Sequence, residues 1–363
     1  MPAKKLPVVW SFAVGVVAAL GLTAIFAAKS AAQTADPPQR ISFQISTGST
    51  TGSYFPVGAL LAQLLSHPPG VGRCETANIC GPSGLIVSTM ASQGSVANVL
   101  AVNSGMVTSG LVQTDVVSLA VAGQGPFRKI GAAKRLRVIA DLYGEDLQLV
   151  AAKGAKIKSI ADLRGKRVSL SAEGSGTIVT ARAVLTAYGI SEKSIHADYS
   201  SPEMAVDLLR AGKLDALFFV GGTPVNLVQQ LFDDNVAVLV PITGAGLKRL
   251  LAKEPYLSVH TIAKGSYSGA PAVETVSVDA LWVADALQPE NLVYGMLKAL
   301  YNPANRSILL ASRQGTHFID PAFGPKSGPA PLHPGAARYF IEAGLLKPAN
   351  AALPAPRPRA RKS

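Results

Sequence analysis

Two short stretches hold the residues best suited to chemistry, and the chemistry they suit is capture of an anion. The first is Thr47-Gly48-Ser49-Thr50-Thr51-Gly52-Ser53, a run of small residues. Before it, Ile41, Phe43 and Ile45 alternate with polar residues, which predicts a half-buried strand. After it, Tyr54, Phe55, Val57, Leu60, Leu61, Leu64 and Leu65 fall at helical spacing. Gly48 and Gly52 allow a sharp turn, and the hydroxyls can cap free N–H groups of the helix. Spare N–H donors at the positive end of a helix dipole form a seat for a carboxylate or a similar anion. The second stretch, Gly174-Ser175-Gly176-Thr177, lies likewise between a strand over 168–171 and a helix that Gly189 ends. Read alone, each loop is equally an ordinary capped turn. Two copies in separate β–α arrays would set two donor-rich helix ends around one cleft, an arrangement for binding without reaction.

Residue types for catalysis are present without the spacing that catalysis needs. The nucleophile elbow GxSxG, the phosphate loop GxxxxGK[ST], GxGxxG and HExxH are all absent. His67, His196, His260, His317 and His333 are scattered, none beside a candidate nucleophile. A triad could arise only from residues distant in sequence. Asp141, Glu145 and Asp146 cluster, as a solvated or hinge feature would. Cys74 and Cys80 are the only cysteines; an even pair in an exported chain reads as a disulfide. A zinc set fails for want of histidines nearby, since His67 precedes two prolines, and CxxC is absent. The expectation is therefore no enzyme, no cofactor and no metal.

At 363 residues the chain is long enough for two lobes, and 15% charged residues fit large buried cores. The net charge of +12 points to nucleic acid until its location is considered. Lys4, Lys5, Lys29, Arg357, Arg359, Arg361 and Lys362 supply seven of those charges from the two ends. With 6% aromatic residues and no recognition motif, nucleic-acid binding is not expected. Residues 1–32 read as an export signal: basic Lys4-Lys5, an uncharged apolar run over 6–28, and a cleavage site at Ser30-Ala31-Ala32. The run of 23 residues is also long enough to remain as an anchor. In both cases the remainder lies outside the cytoplasm, in the periplasm, soluble if the signal is cleaved and tethered to the inner membrane if it is retained.

Along the chain, strands over 41–45, 85–90 and 107–112 alternate with helices, a β–α–β–α rhythm that predicts parallel pairing with helices on the faces. Residues 124–137 read as a basic solvated loop. A second array starts with separate strands over 136–143 and 147–151. It continues through strands over 168–171, 195–199, 214–220 and 236–240, each followed by a helix. Residues 265–271 read as a loop, with a strand over 275–283 and a helix over 289–301 after it. The Pro/Arg-rich end, 347–363, reads as a disordered tail.

These stretches together resemble one family. STGSTTGSYFPVG from Ser46, SQGSVANV (92–99), SGLVQTDV (109–116), IADLRGKRVSL (160–170), GSGTIVTAR (174–182), DALFFVGGTP (215–224) and PLHPGAARYF (331–340) are similar to TAXI-type solute-binding receptors of tripartite ATP-independent periplasmic (TRAP) transporters. The resemblance implies an α/β, two-lobed periplasmic-binding-protein fold of type II topology. Each lobe would be a mixed, mostly parallel sheet flanked by helices, with the ligand cleft between them. Lobe one would be 41–145 plus 274–346 and lobe two 146–273, with crossings near 143–147 and 269–276. The implied ligand is a small organic anion, a glutamate-like amino acid or a dicarboxylate, delivered by a monomer to TRAP membrane subunits. The alternatives are a ligand-presenting partner of a membrane histidine kinase and, further off, a hydrolase on the same fold. Carried over residue by residue, the implied contacts are Ser49, Thr50, Thr51, Gly52, Ser53, Tyr54 and Gln113 from lobe one. Lobe two would supply Gly174, Ser175, Gly176, Thr177, Gly221, Gly222 and Thr223. Phe55, Ile178 and Thr223 depart from the family pattern, which bears on ligand identity. Arg182 stands one helical turn beyond the second loop.

Overall fold

The computed structural model describes residues 40–311, 319–325 and 328–348. Its first unit forms as the periodicity dictates. β1 (Ile41–Ser46) buries Phe43 and Ile45, and α1 (Tyr54–Leu65) buries Val57, Leu61, Leu64 and Leu65 against them. β2 (Leu85–Met90), α2 (Ser95–Ser104), β3 (Ser109–Gln113) and α3 (Thr114–Ala122) complete this array. The chain then enters β4 (Leu136–Ala152), a single strand of 17 residues. β5 (Arg167–Ser169), α4 (Gly176–Ala187), β6 (His196–Asp198), α5 (Pro202–Arg210), β7 (Ala216–Gly221), α6 (Asn226–Asp233), β8 (Ala237–Val240), α7 (Gly244–Lys253) and β9 (Ser258–Ile262) form the second array. β10 (Val273–Asp285) runs back, and α8 (Glu290–Leu300), α9 (Arg306–Ala311) and α10 (Pro334–Glu342) close the described chain.

Strand order is β2-β1-β3-β10-β4-β7-β5-β6, with β8 and β9 added on β4 and β10. The same plan occurs twice. β2, β1 and β3 pair in parallel and β10 joins β3 antiparallel; β6, β5 and β7 pair in parallel and β4 joins β7 antiparallel. Every strand paired with β4 or β10 runs antiparallel to it, so the sheet is mixed; β4 adds one isolated parallel bridge, Val138 to Leu332. β4 and β10 lie side by side from Leu136↔Asp285 to Asp146↔Ser277. At that end they part: β4 pairs with β7 from Asp146 onward, and β10 pairs with β9 before Ser277. Two strands thus thread both halves of the sheet. This is the mixed α/β periplasmic-binding-protein fold.

Each half has its faces covered. In the first, Phe43, Leu61, Trp282 and Leu297 pack on one face, with Val99, Val112, Val116 and Leu281 on the other. In the second, Leu149, Val168, Val184 and Phe218 pack on one face, with Val150, Leu217, Leu231 and Ile262 on the other. All six residues of β7 are buried, the signature of a strand covered on both sides.

Three expectations need correction. The strands over 136–143 and 147–151 are one, because Gly144-Glu145-Asp146 stays in register with β10 instead of turning. Asp141, Glu145 and Asp146 are accordingly buried within a strand, not solvated. The stretch 124–137 is not simply a solvated loop, while 265–271 is the expected loop, with the Tyr267 side chain packed inward. Phe127 is fully buried under α3, and Tyr267 is fully buried, stacked on Phe232 at 5.0 Å with its hydroxyl donating to Gln148 Oε1. The export segment 1–32, and the tail from 349 on, lie outside the described residues. Among the described residues, no helix is long and apolar enough to cross a membrane, and no His/Cys/Asp/Glu group is placed to hold a metal.

Candidate functional site

The amino ends of α1 and α4 come to one cavity of about 510 Å³, within the size range of small-molecule sites. Gly48, Ser49, Thr50, Gly52, Ser53 and Tyr54 line it from the first loop; Ser175, Gly176 and Thr177 line it from the second, and Gln113 from the end of β3. Local chemistry fixes both loops. Ser175 caps α4 by accepting the Ile178 N–H at 3.2 Å. Thr177 Oγ1 accepts the Val220 N–H at 3.1 Å and so ties α4 to β7. Ser53 makes no cap bond to α1; its Oγ accepts the Gly222 N–H at 2.9 Å from the other half. Because Ser53 and Thr177 accept in these bonds, each keeps its O–H to donate.

The remaining expected contacts do not line the cavity. Thr51 is exposed at the rim, where its hydroxyl donates to Glu203 at 2.6 Å. Gly174 packs between the halves: its carbonyl accepts the Ala97 N–H at 3.0 Å, and Gln93 fills the place of a Cβ. Gly221 and Gly222 back against Ser53 and hold it in place. Thr223 is buried outside the lining. Phe55 lies outside the lining and Ile178 is buried in the core of the second half. Arg182 does not line the cavity: it pairs with Glu192 at 2.7 Å and lies over the ring of Tyr199, which does.

The two halves touch around the site. Gln113 Nε2 donates to Thr180 Oγ1 at 3.1 Å, and Thr180 Oγ1 donates to Asp115 Oδ2 at 2.7 Å. Ser49 and Thr51 both donate to Glu203 near the start of α5. The backbones meet closely where glycine allows it. Gly94, at φ +117°, presents its α-carbon to Ser175, and Gly176 faces Gln113 and Ser95 without room for a side chain.

The charge of the lining is the feature that sequence reasoning missed. Its two ionisable acids are Glu145 and Glu203, and among the described residues lining it there is no lysine, arginine or histidine. Glu145 is 1% exposed and accepts the Tyr54 hydroxyl at 2.8 Å. Burial pushes its carboxyl up to about 8; the Tyr54 bond opposes this, and Asp115, Asp146 and Asp279 add to it. Burial, then Glu145, likewise holds the Tyr54 hydroxyl well above its ordinary range. Burial works against ionisation of Glu203 too, but hydrogen bonds from Ser49 and Thr51 keep it below the usual carboxylate value. The signal for Glu145 was its place in the acidic cluster with Asp141 and Asp146, read from sequence as a solvated or hinge feature. Residues 92–95, which wall the cavity, stood in the quoted SQGSVANV motif.

A larger hollow of about 860 Å³ lies between α3 and the α4–α7 pair, bordered by Asp115, Arg128, Arg182, Lys253 and Glu254. Neither 47–53 nor 174–177 lines it, and of the α-helix amino ends only that of α3, through Asp115, borders it. The smaller cavity is therefore the candidate site. Ser95 Oγ there accepts the Gln113 N–H at 3.1 Å and lies 3.4 Å from the Tyr54 hydroxyl, with no imidazole or amine in the lining to activate it. What the walls present is hydroxyls, helix-end N–H groups and two carboxylates, a set for holding a polar solute.

The chain is similar to several solved structures. The alkanesulfonate-binding protein SsuA of Xanthomonas axonopodis pv. citri, bound to MOPS, is 14% identical over 86% of this chain and 83% of that one, at TM-score 0.42. PhnD1 of Prochlorococcus marinus in complex with methylphosphonate is 14% identical over 84% of this chain and 99% of that one, at 0.46. A histidine kinase sensor domain with similarity to periplasmic binding proteins is 12% identical over 77% and 98%, at 0.44. Likenesses this distant say nothing about the ligand, which rests on the residues of this chain. Residues 45–344 match the NMT1-like family, a span that takes in every element from the end of β1 to α10, and the chain belongs to that family.

Proposed function

We propose that this chain is an exported solute-binding receptor that holds a small organic anion between its two halves. It hands that solute to a membrane transporter of the TRAP type. The observation that carries the reading is the meeting of the loops 48–54 and 175–177, from opposite halves, at one cavity. Carboxylate oxygens would sit at the α1 and α4 amino ends, taking N–H groups and the hydroxyls of Ser53 and Thr177. Lobe one would comprise 41–145 and 274–346 and lobe two 146–273. The switch of pairing partners at Asp146 and Ser277 supports a hinge there. The Ser49/Thr51–Glu203 bonds would latch the closed form. Export supports reading the Cys74–Cys80 pair as a disulfide kept in an oxidising periplasm.

The test is a thermal-shift screen on protein stripped by unfolding and refolding, with amino acids, dicarboxylates and alkanesulfonates as the probes. A binder at one hundred times its Kd adds about 2.7 kcal/mol of apparent stability, a shift of several degrees. No shift with any member of the panel overturns capture of this solute class.

A further inference from the structure

We infer that the solute carries a protonated amine as well as its acid group, and that Glu145 is the residue that selects for it. This rests on the cavity being the capture site and names the ligand class more narrowly. An acid-binding cleft would ordinarily bring a cation to its ligand, yet the described lining holds two carboxyl groups, Glu145 and Glu203, and no lysine, arginine or histidine. Glu203 lies at the rim with Ser49 and Thr51 donating to it. Glu145 lies deep, and the one hydrogen bond its carboxylate takes among the described residues is from Tyr54. The groups around it, Tyr54 on α1, Asp115 on α3, Tyr143 and Asp146 on β4 and Asp279 on β10, are neutral or negative. The nearby imidazole, His260, is held by Asp146 at 2.7 Å.

A dicarboxylate or a plain sulfonate placed here meets a buried acid and must bind while that acid holds its proton. A zwitterion matches both ends of the cavity. Its acid group takes the helix amino ends, and its ammonium takes the Glu145 carboxylate in a charge-assisted bond. The two ligand types also differ in proton traffic. With the carboxyl titrating at about 8, Glu145 is mostly protonated at neutral pH before binding. An ammonium expels that proton, so an amine-bearing ligand binds with proton release. An amine-free acid leaves the proton in place near neutrality and draws one in above pH 8.

Isothermal titration in buffers of differing ionisation enthalpy reads both affinity and proton count. The probes are matched pairs: L-glutamate with glutarate, and taurine with ethanesulfonate. In at least one pair the amine-bearing member binds about ten- to a hundredfold tighter and releases protons at pH 7. Glu145→Gln, which can still accept the Tyr54 hydroxyl, abolishes the release and narrows that preference. Equal affinity within a pair that binds, or proton release that survives in Glu145→Gln, overturns the inference while leaving capture of an acid intact. Failure of both members of both pairs overturns the inference together with the capture reading. The wild-type measurements decide the question even if the variant proves unstable.

Discussion

Gly176→Val abolishes most of the affinity for solute while each half stays folded. Gly176 opens α4, and a Cβ placed on it would lie 1.7 Å from Gln113 Oε1, 2.4 Å from Gln113 Cδ and 2.8 Å from Ser95 Oγ. Gln113 and Ser95 belong to the first array and Gly176 to the second, so the clash arises only where the halves meet. With the halves apart, valine at the first position of the helix keeps a permitted backbone and faces solvent. The cost therefore falls on closure and not on the core. Forcing bulk into a packed contact costs about 1–3 kcal/mol. If closure is part of binding, that cost appears as a loss of roughly five- to one-hundred-and-fifty-fold in affinity. Calorimetry with L-glutamate and the thermal midpoint of the unliganded protein separate the two effects. The expected result is weak or absent binding with a midpoint within about 2 °C of wild type. Unchanged affinity would show that the halves do not close on the ligand.

A second large effect is on stability as pH rises. Glu145 titrates at about 8, Glu254 at about 7 and Asp115 at about 6, in each case because burial disfavours the charged form. All three values lie above those of the unfolded chain, so the folded state keeps protons that the unfolded state releases. Their contribution is fully present below about pH 4 and is lost as pH climbs through the folded values. Each such group takes away about 1.4 kcal/mol per pH unit while its folded form remains protonated. Glu145, the most buried of them at 1% exposure, is the one to isolate. Urea unfolding of wild type and Glu145→Gln at pH 5, 6, 7 and 8 should diverge. The wild type loses a few kcal/mol more than the variant by pH 8, most of it before pH 7.5. Parallel curves would mean that Glu145 is solvated and the cavity floor is not as described.

The sequence carried the elements well where periodicity was regular. β1 with α1, and β2 with α2, stand where alternation and helical spacing put them, and the two Gly/Ser/Thr loops stand at helix starts facing one cavity. Periodicity failed where long-range contacts override local signals. Gly144-Glu145-Asp146 looks like a turn, and only the partner strand β10, far along the chain, holds it extended. Phe127 and Tyr267 stand in Gly-containing stretches, and their burial depends on surfaces built by distant residues. The same limit applied to the site. A hydroxyl-rich loop announces itself, but Gly221 and Gly222 serve to hold Ser53 and do not face the cavity, a role visible only with both halves in place. Glu203, far from either loop in sequence, joins the rim through Ser49 and Thr51, and no spacing rule connects them. The acidic character of the lining was hidden for this reason: it is assembled from two residues that no motif contains.

The account turns on a single ligand touching both helix ends at once. Titrating nitrogen-15-labelled protein with L-glutamate and following backbone amides tests this directly. The expected result is that the signals of Ser53 and Tyr54 on one side, and of Gly176 and Thr177 on the other, move together and fit one dissociation constant. Movement confined to one loop, or two groups of signals with different constants, would contradict it.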